Sequence, residues 1–189
     1  MTIEFNPDGL VNKIYQSFLF ASQRTQIFFG GSSSGKSVFL AERAVLDVLS
    51  GRNYLIVRNT GNTLKKSCWN EIWKAISLFK LNQYFDASKS DMTITCNLND
   101  KQILFSGLDD VEKVKSITPI KGALTDIWIE EGTEVNYEDY KQLRKRLRGY
   151  SKHSKRITIS FNPIYQTHWI YTEFFGDWED NKNLYENDN

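Results

Sequence analysis

The sequence predicts an α/β fold with a mainly parallel sheet that helices cover on both faces. Short apolar runs such as "TQIFF" (25–29), "YLIVR" (54–58) and "RITISF" (156–161) have the length and composition of buried strands. Helical patterns alternate with strands at the two ends of the chain, which is typical of a parallel sheet. The 189 residues, of which 40% are hydrophobic, suffice for one packed domain, which we assign to residues 1–176.

The first half of the chain is predicted as helix, strand, helix, strand and helix. Residues 10–21 favour a short helix, and a second helix runs from Lys36 to about Leu49, where Gly51 provides a C-terminal cap. A third helix is predicted within residues 63–79. The apolar faces of the first and third helices consist of residues at helical spacing: Leu10, Ile14, Phe18 and Ala21, and Leu64, Cys68, Ile72, Ile76 and Phe79.

The second half begins with a predicted hairpin. The stretch "MTITCNL" (92–98) alternates between apolar and polar residues, and "QILFSG" (102–107) follows it across a short polar turn. This hairpin is the expected antiparallel addition to the sheet. A short strand at 126–129 and a helix at 137–147 precede the strand at 156–161. The residues of the alternating stretch that share a face are Met92, Ile94, Cys96 and Leu98.

Charge and cysteine usage exclude some classes of protein. The net charge is +1, which by itself favours neither nucleic acid nor membrane as a partner, but residues 141–156 hold eight Lys or Arg and no acid. The tail, 177–189, is acidic. Cys68 and Cys96 have no zinc-site spacing, so we expect buried thiols in a cytosolic protein. No apolar stretch is long enough to span a membrane, and the N-terminus lacks the basic start of a secretory signal.

The segment "GGSSSGKS" matches the phosphate-binding pattern of a glycine, four residues, and glycine-lysine-serine. A strand precedes it and a helix follows it, so backbone N–H groups and the positive end of the helix dipole face one point. We expect Lys36 to reach the β- and γ-phosphates and Ser37 to bind Mg²⁺. An ordinary turn between strand and helix is the alternative. The predicted nucleotide-binding residues are Gly30, Gly31, Ser32, Ser33, Ser34, Gly35, Lys36 and Ser37.

Two acids follow the strand "DIWI". Glu130 and Glu131 stand at its carboxyl end, the edge at which open α/β sheets bind ligands. We expect Glu130 to hold Mg²⁺ and Glu131 to orient and deprotonate the attacking water. Adjacent strand residues point to opposite faces, so both can serve only if the chain leaves the strand here, which Gly132 permits. Two solvated glutamates after a core strand are the alternative.

Four stretches, "FFGGSSSGKS", "YLIVRNTGNTLKKS", "DIWIEEGTE" and "ITISFNP", resemble the N-terminal ATPase domain of the large subunit of phage terminases, the motors that package viral DNA. The likeness covers residues 10–170. It implies a P-loop NTPase with a RecA-like, additional-strand core that uses ATP and Mg²⁺. It also implies work in the host cell cytoplasm on double-stranded DNA, as a homo-oligomeric ring with a portal protein and a small terminase subunit. A monomer is the alternative for the chain in isolation.

The resemblance also implies roles for single residues. Asn162 would sense the γ-phosphate and couple that state to DNA-gripping parts, although Asn162-Pro163 also reads as a plain strand-ending turn. Tyr15 and Gln16 would contribute to adenine contacts. Arg58 matches a basic position near the nucleotide, and the alternative is a surface arginine at the sheet edge.

The chain departs from the family pattern in several places. Glu130 stands where the family usually has an aspartate, and the phosphate loop lacks an early arginine. Many family members use an arginine finger, which is an arginine that a neighbouring subunit contributes to the site, and it lies before the acidic strand. This chain has only lysines in that region, and lysine lacks the planar fork of arginine. Large terminases also carry a C-terminal nuclease domain, and we expect none within 177–189. The candidate fingers are Lys113, Lys115, Lys121, Arg144, Arg146 and Arg148.

The basic run 141–156 is a candidate DNA contact. At helical spacing one side carries only cations, while Leu143 and Leu147 mark the other side. A solvated face, or pairing with the acidic tail or a neighbouring subunit, is the alternative. The cations of that side are Lys141, Arg144, Lys145 and Arg148.

Two other functions fit the phosphate loop, namely a P-loop kinase of small molecules and a nucleotide-dependent assembly subunit without turnover. A GTPase is disfavoured because no guanine-binding N-K-x-D motif follows the loop.

Overall fold

The computed structural model of the chain describes residues 6–64, 67–109, 114, 116–163 and 165–176. The strands are β1 (Thr25–Phe29), β2 (Tyr54–Arg58), β3 (Phe85–Ser88), β4 (Thr93–Cys96), β5 (Lys101–Gly107), β6 (Asp126–Glu130) and β7 (Arg156–Phe161). The α-helices in this part of the chain are α1 (Lys13–Gln16), α2 (Lys36–Leu49), α3 (Gly61–Leu64), α4 (Cys68–Leu78), α5 (Tyr137–Arg146) and α6 (Trp169–Phe174).

The seven strands form one sheet in the order β1-β7-β6-β2-β5-β4-β3. The first five strands in that order run parallel to one another, and β4 and β3 are added antiparallel. The mainly parallel α/β sheet and its β4–β5 hairpin are therefore as predicted. The edge strand β3 was not predicted, because its sequence "FDAS" is short and half polar.

Helices cover both faces of the sheet. On one face α2 and α4 pack with β2 and β5 in a core that contains Phe39, Ile56 and Ile72. On the other face α5 and α6 pack against β6 and β7 around residues such as Tyr140 and Ile159. The central strands β6 and β7 are buried along their whole length because they have helices on both sides.

The N-terminal helix differs from the prediction. It covers Lys13–Gln16 rather than residues 10–21, because the Asn12 side chain caps it by accepting from the Ile14 N–H. Single turns follow it, and the Phe18 N–H donates to the Tyr15 carbonyl. The predicted apolar face is wrong, since Ile14 is 69% exposed.

Three further predictions are corrected. The helix predicted within 63–79 is divided into α3 and α4, although its predicted positions from Leu64 to Ile76 are buried. Leu98 is exposed because β4 ends at Cys96. The run 25–29 is only partly buried, because β1 is an edge strand.

A buried ionic cluster joins the amino ends of the central strands. The Arg156 Nε donates to Asp126 Oδ1 at 2.6 Å, and its Nη2 contacts Asp47 of α2 and the Tyr54 hydroxyl. Arg52 also pairs with Asp126, at 3.2 Å. This cluster fixes the end of the sheet opposite the carboxyl ends of the parallel strands. Within the part of the chain described here, no helix is long and apolar enough to cross a membrane.

Candidate nucleotide site

The loop between β1 and α2 lies at the carboxyl edge of the sheet. Gly35 caps α2 with a φ of 84°, a left-handed conformation that favours glycine. Ser33 also has a positive φ, 65°, and the Ser34 N–H donates to the Gly31 carbonyl at 3.3 Å. The loop therefore turns tightly and delivers its backbone to the first turn of α2, as the sequence predicted.

Lys36 is folded back over this loop. Its Nζ donates to the carbonyl oxygens of Gly30 (2.7 Å) and Gly31 (3.0 Å) and to Ser34 Oγ (3.0 Å). The side chain is 8% exposed, and burial lowers its pKa while the charges of Glu131 and Glu130 oppose that shift. A phosphate that enters the loop would offer the ammonium a stronger, charged acceptor than these carbonyls.

Ser37 and Glu130, the two residues predicted to bind Mg²⁺, are in contact. The Ser37 hydroxyl donates to Glu130 Oε1 at 3.2 Å, although the residues are 93 positions apart. Glu130 is 7% exposed, and burial raises the pKa of its carboxyl while hydrogen bonds from Cys68 and Ser37 and the charge of Arg58 lower it. The strand end and the helix start thus place a hydroxyl and a carboxylate side by side.

Cys68 is a site residue that the sequence did not reveal. Its spacing predicts a place on an apolar helix face, but its thiol donates to Glu130 Oε2 from the first residue of α4. The side chain is fully buried, and burial raises its pKa well above the usual range, so the thiol stays protonated. No local pattern could have indicated this contact.

Glu131 leaves the strand at once. Its φ and ψ are 51° and 54°, a left-handed conformation that ends β6 and begins a short 3₁₀ turn at Gly132–Glu134. The turn thus occurs at Glu131 itself, whereas Gly132 was expected to permit it. Gly132 is needed for another reason, since a Cβ at this position would overlap Ile159 Cγ2. The charges of Glu131 and Glu130 both oppose the lowering of the Lys36 pKa by burial, so both carboxyls lie near this ammonium.

Asn162 follows β7 beside the start of the phosphate loop. The Gly30 N–H donates to the Phe161 carbonyl at 3.3 Å, and Phe29 and Phe161 are partners in the parallel register. Asn162 and Pro163 are exposed and lie outside the strand. The "SFNP" segment is therefore attached to the loop by a backbone hydrogen bond.

Arg58 and Gln16 each contact residues outside the phosphate loop. Arg58 ends β2, and its Nε lies 3.5 Å from Glu134 Oε2. Gln16 Nε2 donates to the carbonyl of Val11 at 3.1 Å and so takes part in a local turn.

Tyr15 makes the contact with the phosphate loop in this region. Its hydroxyl donates to the Ser34 carbonyl at 2.9 Å, and its ring stacks on Phe39 with centroids 4.8 Å apart. Tyr15 therefore supports the loop from the side of α1.

The candidate fingers are spread over the chain. Lys113 and Lys115 lie outside the described residues. Lys121 pairs with Asp100 at 2.8 Å near the amino ends of the strands, far from the phosphate loop. The Arg146 guanidinium donates to the Ile117 carbonyl.

The basic helix α5 and the two residues after it have the predicted orientation, except at Lys141. Leu143 and Leu147 are buried, whereas Arg144, Lys145 and Arg148 are exposed. Arg144 also stacks on the buried Tyr140 ring, 5.7 Å from its centroid. Lys141, which is only half-buried, pairs with Glu138. The acidic tail lies outside the described residues.

The donor set fits Mg²⁺. Among the described residues no three His, Cys, Asp or Glu side chains cluster to hold a metal by themselves. Mg²⁺ usually takes one or two carboxylates and completes its shell with substrate phosphates and water. Ser37 and Glu130 beside a phosphate-binding loop provide such a partial shell.

Comparison with known proteins identifies similar chains. A family model described as phage terminase large subunit matches residues 22–189. The chain is 30% identical over 169 residues to the PBSX phage terminase large subunit of Bacillus subtilis (strain 168). The aligned stretch covers 88% of this chain and 38% of that relative. The chain thus spans well under half the length of this relative.

Solved structures share the fold. A large terminase from a thermophilic bacteriophage, in complex with ATP-gamma-S, gives a TM-score of 0.64 at 13% identity, over 88% of this chain and 40% of that one. The N-terminal domain of the DNA packaging ATPase from bacteriophage phi29 gives 0.66 at 14% identity, over 96% of this chain and 92% of that one. These likenesses confirm the α/β, RecA-like P-loop fold.

Proposed function

Because the chain belongs to the phage terminase large subunit family, we propose that it binds ATP with Mg²⁺ and hydrolyses it as the motor domain of a DNA-packaging terminase. The observation that carries this proposal is the hydrogen bond from the Ser37 hydroxyl to Glu130 beside a loop that holds Lys36. A bare turn between strand and helix would not need a buried carboxylate at this place. The similar terminase of the thermophilic bacteriophage was solved with ATP-gamma-S, which supports nucleotide as the ligand.

The loop and the metal pair would bind the triphosphate. Backbone N–H groups at the start of α2 and the Lys36 ammonium would take the β- and γ-phosphates. Ser37 and Glu130 would hold Mg²⁺, which neutralises the charge that develops on the phosphates. Lys36 would exchange its contacts with the Gly30 and Gly31 carbonyls for phosphate oxygens.

Glu131 is the proposed general base. The left-handed turn takes Glu131 out of the strand pattern, so its side chain is not forced onto the face of the sheet opposite Glu130. It would accept a proton from the water that attacks the γ-phosphate. Asn162 would report the state of that phosphate through the hydrogen bond between Phe161 and Gly30. Arg58, whose charge acts on Glu130, and Gln16 complete the proposed nucleotide contacts.

Hydrolysis would drive double-stranded DNA into a procapsid. The exposed cations of α5 support contact with DNA phosphates, a contact that needs no base sequence. In this proposal the chain works as a homo-oligomeric ring with a portal protein and a small terminase subunit in the host cytoplasm. Membership of the family and the phi29 packaging ATPase as a structural neighbour support this role.

The test measures phosphate release from ATP for the parent and for Glu131→Gln, with and without double-stranded DNA, over a range of protein concentrations. We expect Glu131→Gln to lose about 10²–10⁴-fold in rate, as for loss of a general base. Glu138→Gln, an exposed acid on α5, is the control and should match the parent. Turnover that requires an added acceptor would indicate a kinase. Equal rates for Glu131→Gln and the parent would refute the motor.

A further inference from the structure

The Glu130 carboxylate is held at both oxygens by different parts of the chain. Ser37 of α2 donates to Oε1, and Cys68 of α4 donates to Oε2. The geometry points to Cys68 as a positioning residue that orients Glu130 for the metal ion. This inference rests on the proposed function, because it assigns Cys68 to the same Mg²⁺ site.

The position of Cys68 suits this task. It begins α4, a helix that packs against α2 on the same face of the sheet. Its thiol is fully buried, so water does not compete for the contact with Glu130. In such a dry environment even a weak S–H donor interacts more strongly with a carboxylate than it would in water.

The length of the glutamate explains why a second donor matters. A glutamate has one more rotatable bond than an aspartate, so a single hydrogen bond leaves its carboxylate more orientations. With Oε2 fixed by Cys68, Oε1 is kept at Ser37, where the proposed metal would lie. Groups that hydrogen-bond to metal ligands in this way orient them, and their loss typically lowers metal affinity about 10–100-fold.

The chain offers a matched control. Cys96 is also buried, but it lies on β4 and pairs with Lys101 of β5 and Phe85 of β3, away from the phosphate loop. Cys68→Ala and Cys96→Ala each remove one buried thiol. Cys68→Ser keeps a donor at the site.

The experiment titrates Mg²⁺ against binding of a fluorescent ATP analogue, a readout that does not depend on turnover. We expect Cys68→Ala to raise the Mg²⁺ concentration for half-maximal binding about tenfold, with Mg²⁺-free binding unchanged. Cys68→Ser should recover most of the loss, and Cys96→Ala should titrate like the parent. Thermal unfolding of each variant checks the fold, and Cys68→Val, which also lacks a donor, replaces Cys68→Ala if that variant does not fold.

Two results would overturn the inference and are distinguishable. If the parent responds to Mg²⁺ and the non-donor variants at position 68 titrate like Cys96→Ala, Cys68 has no positioning role, while the proposed function stands. If nucleotide binding of the parent does not respond to Mg²⁺ at all, the proposed function fails and the inference fails with it.

Discussion

Glu42 should make the protein less stable as the pH rises toward neutrality. It lies on α2, is 4% exposed, and lines a groove of about 840 Å³ between α2 and α4. The nearby acid Glu71 is paired with Lys74, whereas burial alone raises the pKa of Glu42 from 4.5 to about 7. The folded protein therefore binds a proton at Glu42 more tightly than the unfolded chain does.

The direction and size of the change in stability with pH follow from this difference in proton binding. A carboxyl whose folded-state pKa is raised stabilises the fold fully below about pH 4.5, and that contribution is lost as the pH rises to about 7. At about 1.4 kcal/mol for each pH unit, the full shift corresponds to about 3.5 kcal/mol, and solvent screening in the groove that Glu42 lines reduces the expected loss to about 3 kcal/mol. Glu42→Gln keeps the shape of the neutral acid and cannot ionise, so it should remove this dependence.

Urea unfolding of the parent and of Glu42→Gln from about pH 4.5 to about pH 8 tests the reasoning. We expect equal free energies of unfolding at the acidic end and a variant about 3 kcal/mol more stable at the alkaline end. Other titrating groups are common to both proteins and cancel in the difference. A constant difference between parent and Glu42→Gln across the range would refute the raised pKa.

Three further changes test packing, the ionic cluster and the loop. Gly132→Ala should destabilise the fold by about 1–3 kcal/mol in urea unfolding, because its Cβ would overlap Ile159. Asp126→Asn should cost about 3–5 kcal/mol by the same measurement, because Arg156 would keep a buried charge without that partner; a loss below about 1 kcal/mol would contradict this. Lys36→Ala should weaken binding of a fluorescent ATP analogue at least about tenfold, consistent with loss of a charge-assisted contact, and unchanged affinity would exclude Lys36 from the site.

Local sequence patterns were sufficient to predict the phosphate loop and the elements on either side of it. The start of α2 at Lys36 and its end at Leu49 were predicted, because Gly35 and the glycine at 51 punctuate a continuous apolar helix. The acids at 130 and 131 could be assigned to the same edge because parallel strands end together. Each of these inferences needs only neighbours in sequence and the rule for parallel sheets.

Contacts between distant side chains were not predictable in this way. Cys68 has the same apolar spacing as its helix neighbours, so its contact with Glu130 has no sequence signature. The prediction of a helix over residues 10–21 was wrong because the apolar residues there pack through turns rather than along one helix face. The exit of the chain at Glu131 has no local signature, because a non-glycine residue adopts the left-handed conformation there. The close approach of Gly132 to Ile159 appears only when two strands and a turn are assembled.

The strand order has a mechanical consequence for the phosphate loop. Within the described residues β1 is the outermost strand of its side of the sheet, and its ladder partner is β7. The loop thus follows a strand that has a single hydrogen-bonded neighbour in the sheet. A sideways displacement of the loop would load β7 before any other strand, and β7 ends next to Asn162.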